Sequence, residues 1–150
     1  MPGGIKQHPF NQVDGLKKII NKNTAAVVIE LIQGEAGIVP AKKVFINEIK
    51  KLCRKNNALI VIDEVQSGVG RTGHLYAYEK YNIKPDILCS AKGMGNGIPI
   101  GAILTTNKVA KAMQVGAHGS TYGGNPLACS VSYEVFKEVS KKSFLNSVIK

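Results

Sequence analysis

Three ionisable residues lie at or just beyond the ends of successive apolar segments. Glu30 ends the segment AAVVIE, Asp63 ends LIVID, and Lys92 follows PDILCS by two residues. Short apolar runs that end abruptly in a charge are typical of strands buried on both faces of a parallel sheet. Because ligands bind beyond the carboxyl ends of such strands, the sequence predicts that these three groups belong to one site.

The residues around Lys92 and Asp63 favour chemistry on an aldehyde cofactor. Small neighbours, Ser90, Ala91 and Gly93, leave room for a flat ligand beside Lys92. A partly desolvated lysine loses proton affinity and becomes an amine nucleophile towards an aldehyde. A carboxylate such as Asp63 can keep a pyridine nitrogen protonated, which makes pyridoxal phosphate an electron sink. The alternative for Asp63 is a cap on the turn that follows its strand.

Strand-like and helix-like segments alternate along the chain, which predicts an α/β protein with a mainly parallel sheet and flanking helices. The clearest helix begins at Pro40 and stops at Asn56, because Phe45, Ile49 and Leu52 recur at helical spacing. The predicted strands are 25–32, 58–62, 86–90 and 100–105. The other predicted helices are 13–21, 75–81, 108–115 and 126–139.

The charge of the chain is strongly positive, at +10 from 20 basic and 10 acidic residues. A polyanion-binding surface is one explanation. The other is compositional bias, since only Arg54 and Arg71 are arginines and phosphate recognition usually also draws on the guanidinium group. We predict no nucleic-acid partner.

Other recurrent kinds of site have weak signals. Gly68, Gly70 and Gly73 match the spacing GxGxxG of dinucleotide sites, yet no acidic residue follows at the distance a ribose ligand requires. The three histidines are scattered, so no metal site is expected. Three widely spaced cysteines without a CxxC motif suggest reduced thiols, and no apolar run is long enough for a membrane span. We therefore expect a cytoplasmic protein with no membrane partner.

Four ordered blocks carry a more specific signal. They are AAVVIELIQGEAGIVPA, LIVIDEVQSGVGRTGHLYAYEKY, KPDILCSAKGMGNGIPIGA and HGSTYGGNPLAC. Together they resemble the class III aminotransferases of fold type I, which depend on pyridoxal 5'-phosphate. Within that class the resemblance is strongest to the enzymes that act on N-acetylornithine, with ornithine and other ω-aminotransferases close behind.

The resemblance implies a role for each matching residue around the cofactor. Lys92 would bind pyridoxal phosphate as a Schiff base and then act as general base and acid. Asp63 would pair with the pyridinium nitrogen, Val65 would pack on the ring, and Gln66 would hydrogen-bond the phenolic oxygen. Glu64 belongs to the same cofactor-binding block, although strand alternation points it away from the ring.

Further residues are assigned by the resemblance to the phosphate and the substrate. Thr121 would bind the cofactor phosphate of a neighbouring subunit, which implies a homodimer with shared active sites, and Ser120 would lie close to the substrate. Glu35 matches an acid that pairs with an arginine in related enzymes. Glu30 would support the site from beneath. In place of the family's usual proline, Leu31 follows Glu30.

The implied reaction moves the terminal amino group of N-acetylornithine, or of a related ω-amino acid, to 2-oxoglutarate in arginine biosynthesis. Family members are more than twice as long as these 150 residues. We therefore expect residues 1–150 to be part of the large, cofactor-binding domain, without its N-terminal part and without the C-terminal small domain. The alternatives are an ornithine or other ω-aminotransferase, and an inactive fragment or basic interaction module.

Overall fold

The structure, a computed structural model, describes residues 3–149. Its strands are β1 (Ala26–Glu30), β2 (Ile32–Gln33), β3 (Val39–Pro40), β4 (Leu59–Asp63), β5 (Ile87–Ser90) and β6 (Ala102–Thr105). Its helices are α1 (Leu16–Ile19), α2 (Lys43–Asn56), α3 (Tyr78–Tyr81), α4 (Asn107–Ala110), α5 (Pro126–Val139) and α6 (Lys142–Ile149), and a short 3-10 turn covers Lys92–Met94.

Four of the strands form one sheet in the order β1-β4-β5-β6. β4 pairs in parallel with β1 and with β5, whereas β6 runs antiparallel to β5 at the edge. β2 and β3 form a separate antiparallel hairpin. The predicted α/β class with a mainly parallel sheet is confirmed.

The two faces of the sheet have different surroundings. On one face, Ile29, Ile60, Ile62 and Leu88 are buried in the hydrophobic core, to which α2 also contributes. In-register partners on neighbouring strands share a face. The opposite face, which we call the open face, carries Val28, Val61, Asp63, Cys89 and Ile103. Val28 and Ile103 are 71% and 73% exposed, so the described chain leaves much of this face uncovered.

The helix α2 covers the core face because its apolar residues form one stripe. Phe45, Ile46, Ile49, Leu52 and Cys53 are all buried. The helix ends where Asn57 takes a left-handed conformation and its backbone N–H reaches the Cys53 carbonyl. The lysines of α2 lie mostly off the stripe, as the sequence pattern predicts.

Several boundaries differ from the prediction. The strand predicted at 25–32 is two strands, because the chain turns at the fully buried Leu31 and β2 pairs with β3 instead of extending the sheet. The helix predicted at 108–115 stops at Ala110, and Met113 and Val115 beyond it are exposed. Residues of α6 were not predicted as helical.

The glycines of the GxGxxG segment accommodate neighbouring side chains. A Cβ atom on Gly70 would lie 2.5 Å from Val139 Cγ1, and one on Gly73 would lie 2.3 Å from Ile149 Cγ1. At Gly68 the ring of Tyr76 would be 2.9 Å away. Close packing against α5, α6 and Tyr76 therefore explains these glycines without a dinucleotide.

We predict that the two faces of α2 tolerate truncation very differently. Ile46, 1% exposed, faces the core, and Ile46→Ala should lower the free energy of unfolding by about 2–5 kcal/mol. Val44, 61% exposed on the same helix, is the matched control, and Val44→Ala should change it by less than about 0.5 kcal/mol. Urea denaturation measures both values. Equal losses would contradict the assignment of the buried stripe.

Candidate functional site

Asp63 occupies the middle of the row of groups at the carboxyl end of the sheet. The register pairs it with Glu30 on β1 and with Cys89 on β5. Its Oδ1 accepts a 2.9 Å hydrogen bond from the Val65 backbone N–H, which is the turn-capping contact considered above. Among residues 3–149, no hydrogen bond reaches Asp63 Oδ2, so this oxygen is free to accept a hydrogen bond from a ligand.

The sulfur of Cys89 lies on the same open face as Asp63. Burial raises the pKa of the Cys89 thiol, and the nearby Asp63 carboxylate raises it further. A thiol with a raised pKa stays protonated and unreactive near neutral pH. Cys89 therefore places a small, uncharged side chain beside the Asp63 carboxylate.

Glu64 points to the other side of the chain from Asp63 and is fully buried. Its carboxylate accepts hydrogen bonds from Ser67 Oγ at 2.8 Å, Ala77 N–H at 2.9 Å and Tyr78 N–H at 2.7 Å. Both oxygens are thus occupied by the protein itself. These contacts hold the loop 65–78 against the end of β4, and a cofactor contact of Glu64 stays a prediction from the sequence.

The burial of Glu64 has an electrostatic consequence. Burial raises the pKa of this carboxyl from its ordinary value of 4.5, and the three hydrogen bonds only partly oppose that effect. Within the described residues, no ion pair neutralises Glu64. The backbone and hydroxyl donors alone stabilise its charge.

A second buried contact joins the same loop to the strand that precedes Lys92. Tyr76 Oη donates to Ser90 Oγ at 3.1 Å, and both residues are buried. Burial raises the pKa of Tyr76, so its hydroxyl remains a donor. Lys92 follows Ser90 by two residues and adopts a φ of +43°, a conformation that costs energy for a residue other than glycine. The fold therefore holds Lys92 in a strained backbone geometry and leaves its side chain exposed.

Gln66 lies against the hairpin formed by β2 and β3. A Cβ atom built on Gly34 would lie only 1.3 Å from Gln66 Oε1, so the carboxamide occupies the space that a side chain at position 34 would need. The N–H of Gly34 donates to Glu30 Oε2 at 3.2 Å. Glu30, Gly34 and Gln66 thus form a connected group beside Asp63.

The remaining sequence-predicted residues lie on exposed segments. Glu35 is exposed in the loop between β2 and β3. Ser120 and Thr121 are exposed, and Ser120 lines a pocket of about 330 Å³ together with Pro99, Gly101 and residues 122–125. Asn125 is the N-cap of α5, and its side-chain oxygen accepts a hydrogen bond from the Ala128 N–H. Because Asn125 also lines the pocket, the start of that helix lies beside it.

A larger cleft, of about 870 Å³, runs along β1. Glu30, Gln33 and Asp63 line its end at the carboxyl edge of the sheet. Lys92, Ser120 and Thr121 do not line it. The structure therefore brings Asp63 and Glu30 together in one cleft, places Lys92 just beyond the neighbouring strand, and leaves Ser120 in a separate pocket.

Other kinds of site find no support in the part of the chain that the structure describes. It contains no group of three or more histidine, cysteine, aspartate or glutamate side chains able to hold a metal ion. None of its helices combines the length and the apolar character needed to span a membrane.

Known proteins resemble this chain in both sequence and fold. The model of the family Aminotransferase class-III matches residues 4–150. The chain belongs to the class III aminotransferase family. An acetylornithine/succinyldiaminopimelate aminotransferase of Buchnera aphidicola is 54% identical over 149 residues, which cover 99% of this chain and 37% of that relative. The chain therefore spans just over a third of the length of a class III relative that it matches.

Solved structures of class III aminotransferases have the same fold. The acetylornithine aminotransferase of Elizabethkingia anophelis superposes with a TM-score of 0.86 at 37% identity, over 92% of this chain and 35% of that one. The ornithine delta-aminotransferase of Plasmodium falciparum superposes with a TM-score of 0.84 at 39% identity, over 89% and 35%. The α/β sheet is that of the large domain of fold type I aminotransferases, and the predicted family resemblance is confirmed.

Sequence reasoning missed the residues that orient the site from behind. The loop 65–78 is held by the contact of Ser67 with Glu64 and by the contact of Tyr76 with Ser90 at the end of β5. Gly34 leaves room for Gln66. One signal was available for Ser67, since it follows the acidic Glu64 by three residues, the spacing of a local side-chain contact. No local pattern connects Gly34 with Gln66, which lie 32 positions apart.

The buried carboxyl of Glu64 predicts a distinctive pH dependence. Because its pKa is higher folded than unfolded, the folded state binds more protons above pH 4.5, and its contribution to stability falls as the pH rises through the raised pKa. Urea unfolding of the full-length protein between pH 4 and 8 should therefore show the advantage of wild type over Glu64→Gln shrinking with increasing pH.

An exposed glutamate provides the control for this measurement. Glu134 lies on α5 beside Lys137 with most of its side chain in solvent. Glu134→Gln should change stability by less than about 1 kcal/mol across the same range. A wild-type advantage over Glu64→Gln that grows with pH would overturn the raised pKa.

Proposed function

We propose that this chain is the central part of a pyridoxal-phosphate-dependent ω-aminotransferase, forming part of its large domain. The observation that carries the proposal is the placement of Asp63 and Lys92 at the carboxyl ends of the adjacent parallel strands β4 and β5, within a class III aminotransferase sequence. On this proposal the rest of the cofactor site and the small domain lie outside residues 1–150.

The residues present fit pyridoxal phosphate. Asp63 offers an unengaged carboxylate oxygen at the sheet edge, suited to a protonated ring nitrogen. Val65 and Gln66, both half-buried, follow Asp63 by two and three residues, and Lys92 offers an exposed amine. When bound, the cofactor supplies an electron sink for the carbon that loses its proton.

Each residue then has a defined task. Asp63 keeps the proton on the ring nitrogen, Val65 excludes water from one face of the ring, and Gln66 hydrogen-bonds the phenolic oxygen. Lys92 Nζ would hold the cofactor and would move a proton to and from the reacting carbon of the substrate. Glu64 acts behind the site, by keeping the loop that carries Val65 and Gln66 in place.

We propose N-acetylornithine as the amino donor and 2-oxoglutarate as the acceptor, in the cytoplasm and in arginine biosynthesis. The support is the 54% identity to a relative named acetylornithine/succinyldiaminopimelate aminotransferase. Thr121 would bind the phosphate of a partner subunit's cofactor in a homodimer, with Ser120 and Glu35 near the substrate. An ornithine aminotransferase is the second candidate, since such enzymes share the fold equally well.

Covalent labelling tests the role of Lys92. Reduction of the full-length protein and its cofactor with borohydride, followed by peptide mapping, should place the label on the peptide that contains Lys92. Lys92→Arg should abolish labelling, whereas Lys108→Arg, at an exposed lysine of α4, should not change it. A label that persists in Lys92→Arg would refute the assignment.

Steady-state kinetics test the substrate. With 2-oxoglutarate as acceptor, kcat/KM for N-acetylornithine should exceed that for ornithine by about tenfold or more, because a site that pairs with the acetyl amide discriminates against a free amine. The reverse order would favour the ornithine candidate. No turnover of either donor, in a protein that binds the cofactor, would refute both.

A further inference from the structure

We propose that Gly34 is a positioning residue for catalysis, which orients the carboxamide of Gln66 because it has no side chain. The inference rests on the proposed function, in which Gln66 contacts the cofactor. It adds that the hairpin of β2 and β3 sets the direction of that contact.

Close packing carries the proposal. Gly34 is buried, and its missing Cβ would lie 1.3 Å from Gln66 Oε1, 2.1 Å from Cδ and 2.6 Å from Nε2. All three distances are far below any van der Waals separation. The whole carboxamide therefore lies over the Gly34 Cα atom, and its position depends on the absence of a side chain there.

The backbone of Gly34 is itself fixed from both sides. Its N–H donates to Glu30 Oε2 at 3.2 Å, and its carbonyl accepts the N–H groups of Gly37 and Ile38 at 3.2 Å each. Glu30 is in turn the in-register partner of Asp63. Gly34 is thus held from the same strand ends that present Asp63, which links the position of Gln66 to that of the carboxylate.

Steric exclusion, and not backbone freedom, explains the glycine at this position. Gly34 does not adopt a positive φ, unlike Gly37 in the same loop, so an alanine fits its backbone. The atoms that an alanine methyl would displace belong to the end of a flexible side chain. Gly34→Ala is therefore expected to leave the protein folded and to move the Gln66 carboxamide away.

The experiment compares Gly34→Ala, Gln66→Ala and a control in the full-length protein with pyridoxal phosphate. Gly3→Ala is the control, because a Cβ atom there meets nothing within 4 Å. The readouts are the pH midpoint of the cofactor's visible absorbance, kcat and KM, and the urea unfolding midpoint. Loss of a donor to the phenolic oxygen leaves that oxygen more basic, so the absorbance midpoint should move to higher pH.

We expect Gly34→Ala and Gln66→Ala to raise the pH midpoint alike and to lower kcat by about tenfold or more, since hydrogen bonds to charged groups have effects of that size. Combining the two substitutions should add little, and Gly3→Ala should match wild type. If Gln66→Ala changes the spectrum and kcat while Gly34→Ala keeps both at their wild-type values, the inference is overturned. The proposed function is not affected by that result.

Two other outcomes separate the inference from the proposed function. If neither variant alters the spectrum of a cofactor-loaded protein, the role of Gln66 in the proposed function fails, and the inference fails with it. If Gly34→Ala lowers the urea midpoint but not the absorbance midpoint or kcat, its role is structural and the inference is overturned.

Discussion

The register of β4 between β1 and β5 is the constraint on which the site depends. Side chains alternate between the faces of a strand, so pairing Asp63 with Glu30 and Cys89 places all three on the open face, while Ile62 enters the core. A slip by one residue would bury Asp63 and expose Ile62. The hydrophobic burial that stabilises the sheet therefore also determines that the Asp63 carboxylate lies on the open face.

The buried acid beside Asp63 extends this constraint to the loop that follows. Glu64 accepts hydrogen bonds from Ser67, Ala77 and Tyr78, so removing its acceptors would leave buried donors unsatisfied. Tyr76, from the same loop, then reaches Ser90 at the end of β5. The two adjacent carboxyl residues therefore face different surroundings: Asp63 lines the cleft along β1, and Glu64 is buried in the protein.

Much of this arrangement could be predicted from residue patterns. The apolar runs before Asp63 and Lys92 indicated strands, the stripe of α2 indicated its buried face, and the order of elements indicated a mainly parallel sheet. The boundaries of short elements could not be predicted, because they depend on contacts made elsewhere. The split at Leu31 reflects pairing between β2 and β3, and α4 ends before Met113 and Val115, which are exposed.

The sequence alone determined which residues can do chemistry and at which strand ends they lie, because apolar periodicity and strand-terminal charges are local properties. Only the tertiary structure decided how those residues are held. In the folded chain, Glu64 is buried, the Gln66 carboxamide lies over Gly34, and Lys92 has a positive φ. These features arise between residues that are distant in the chain or from backbone strain, and neither kind of information is present in the spacing of residue types.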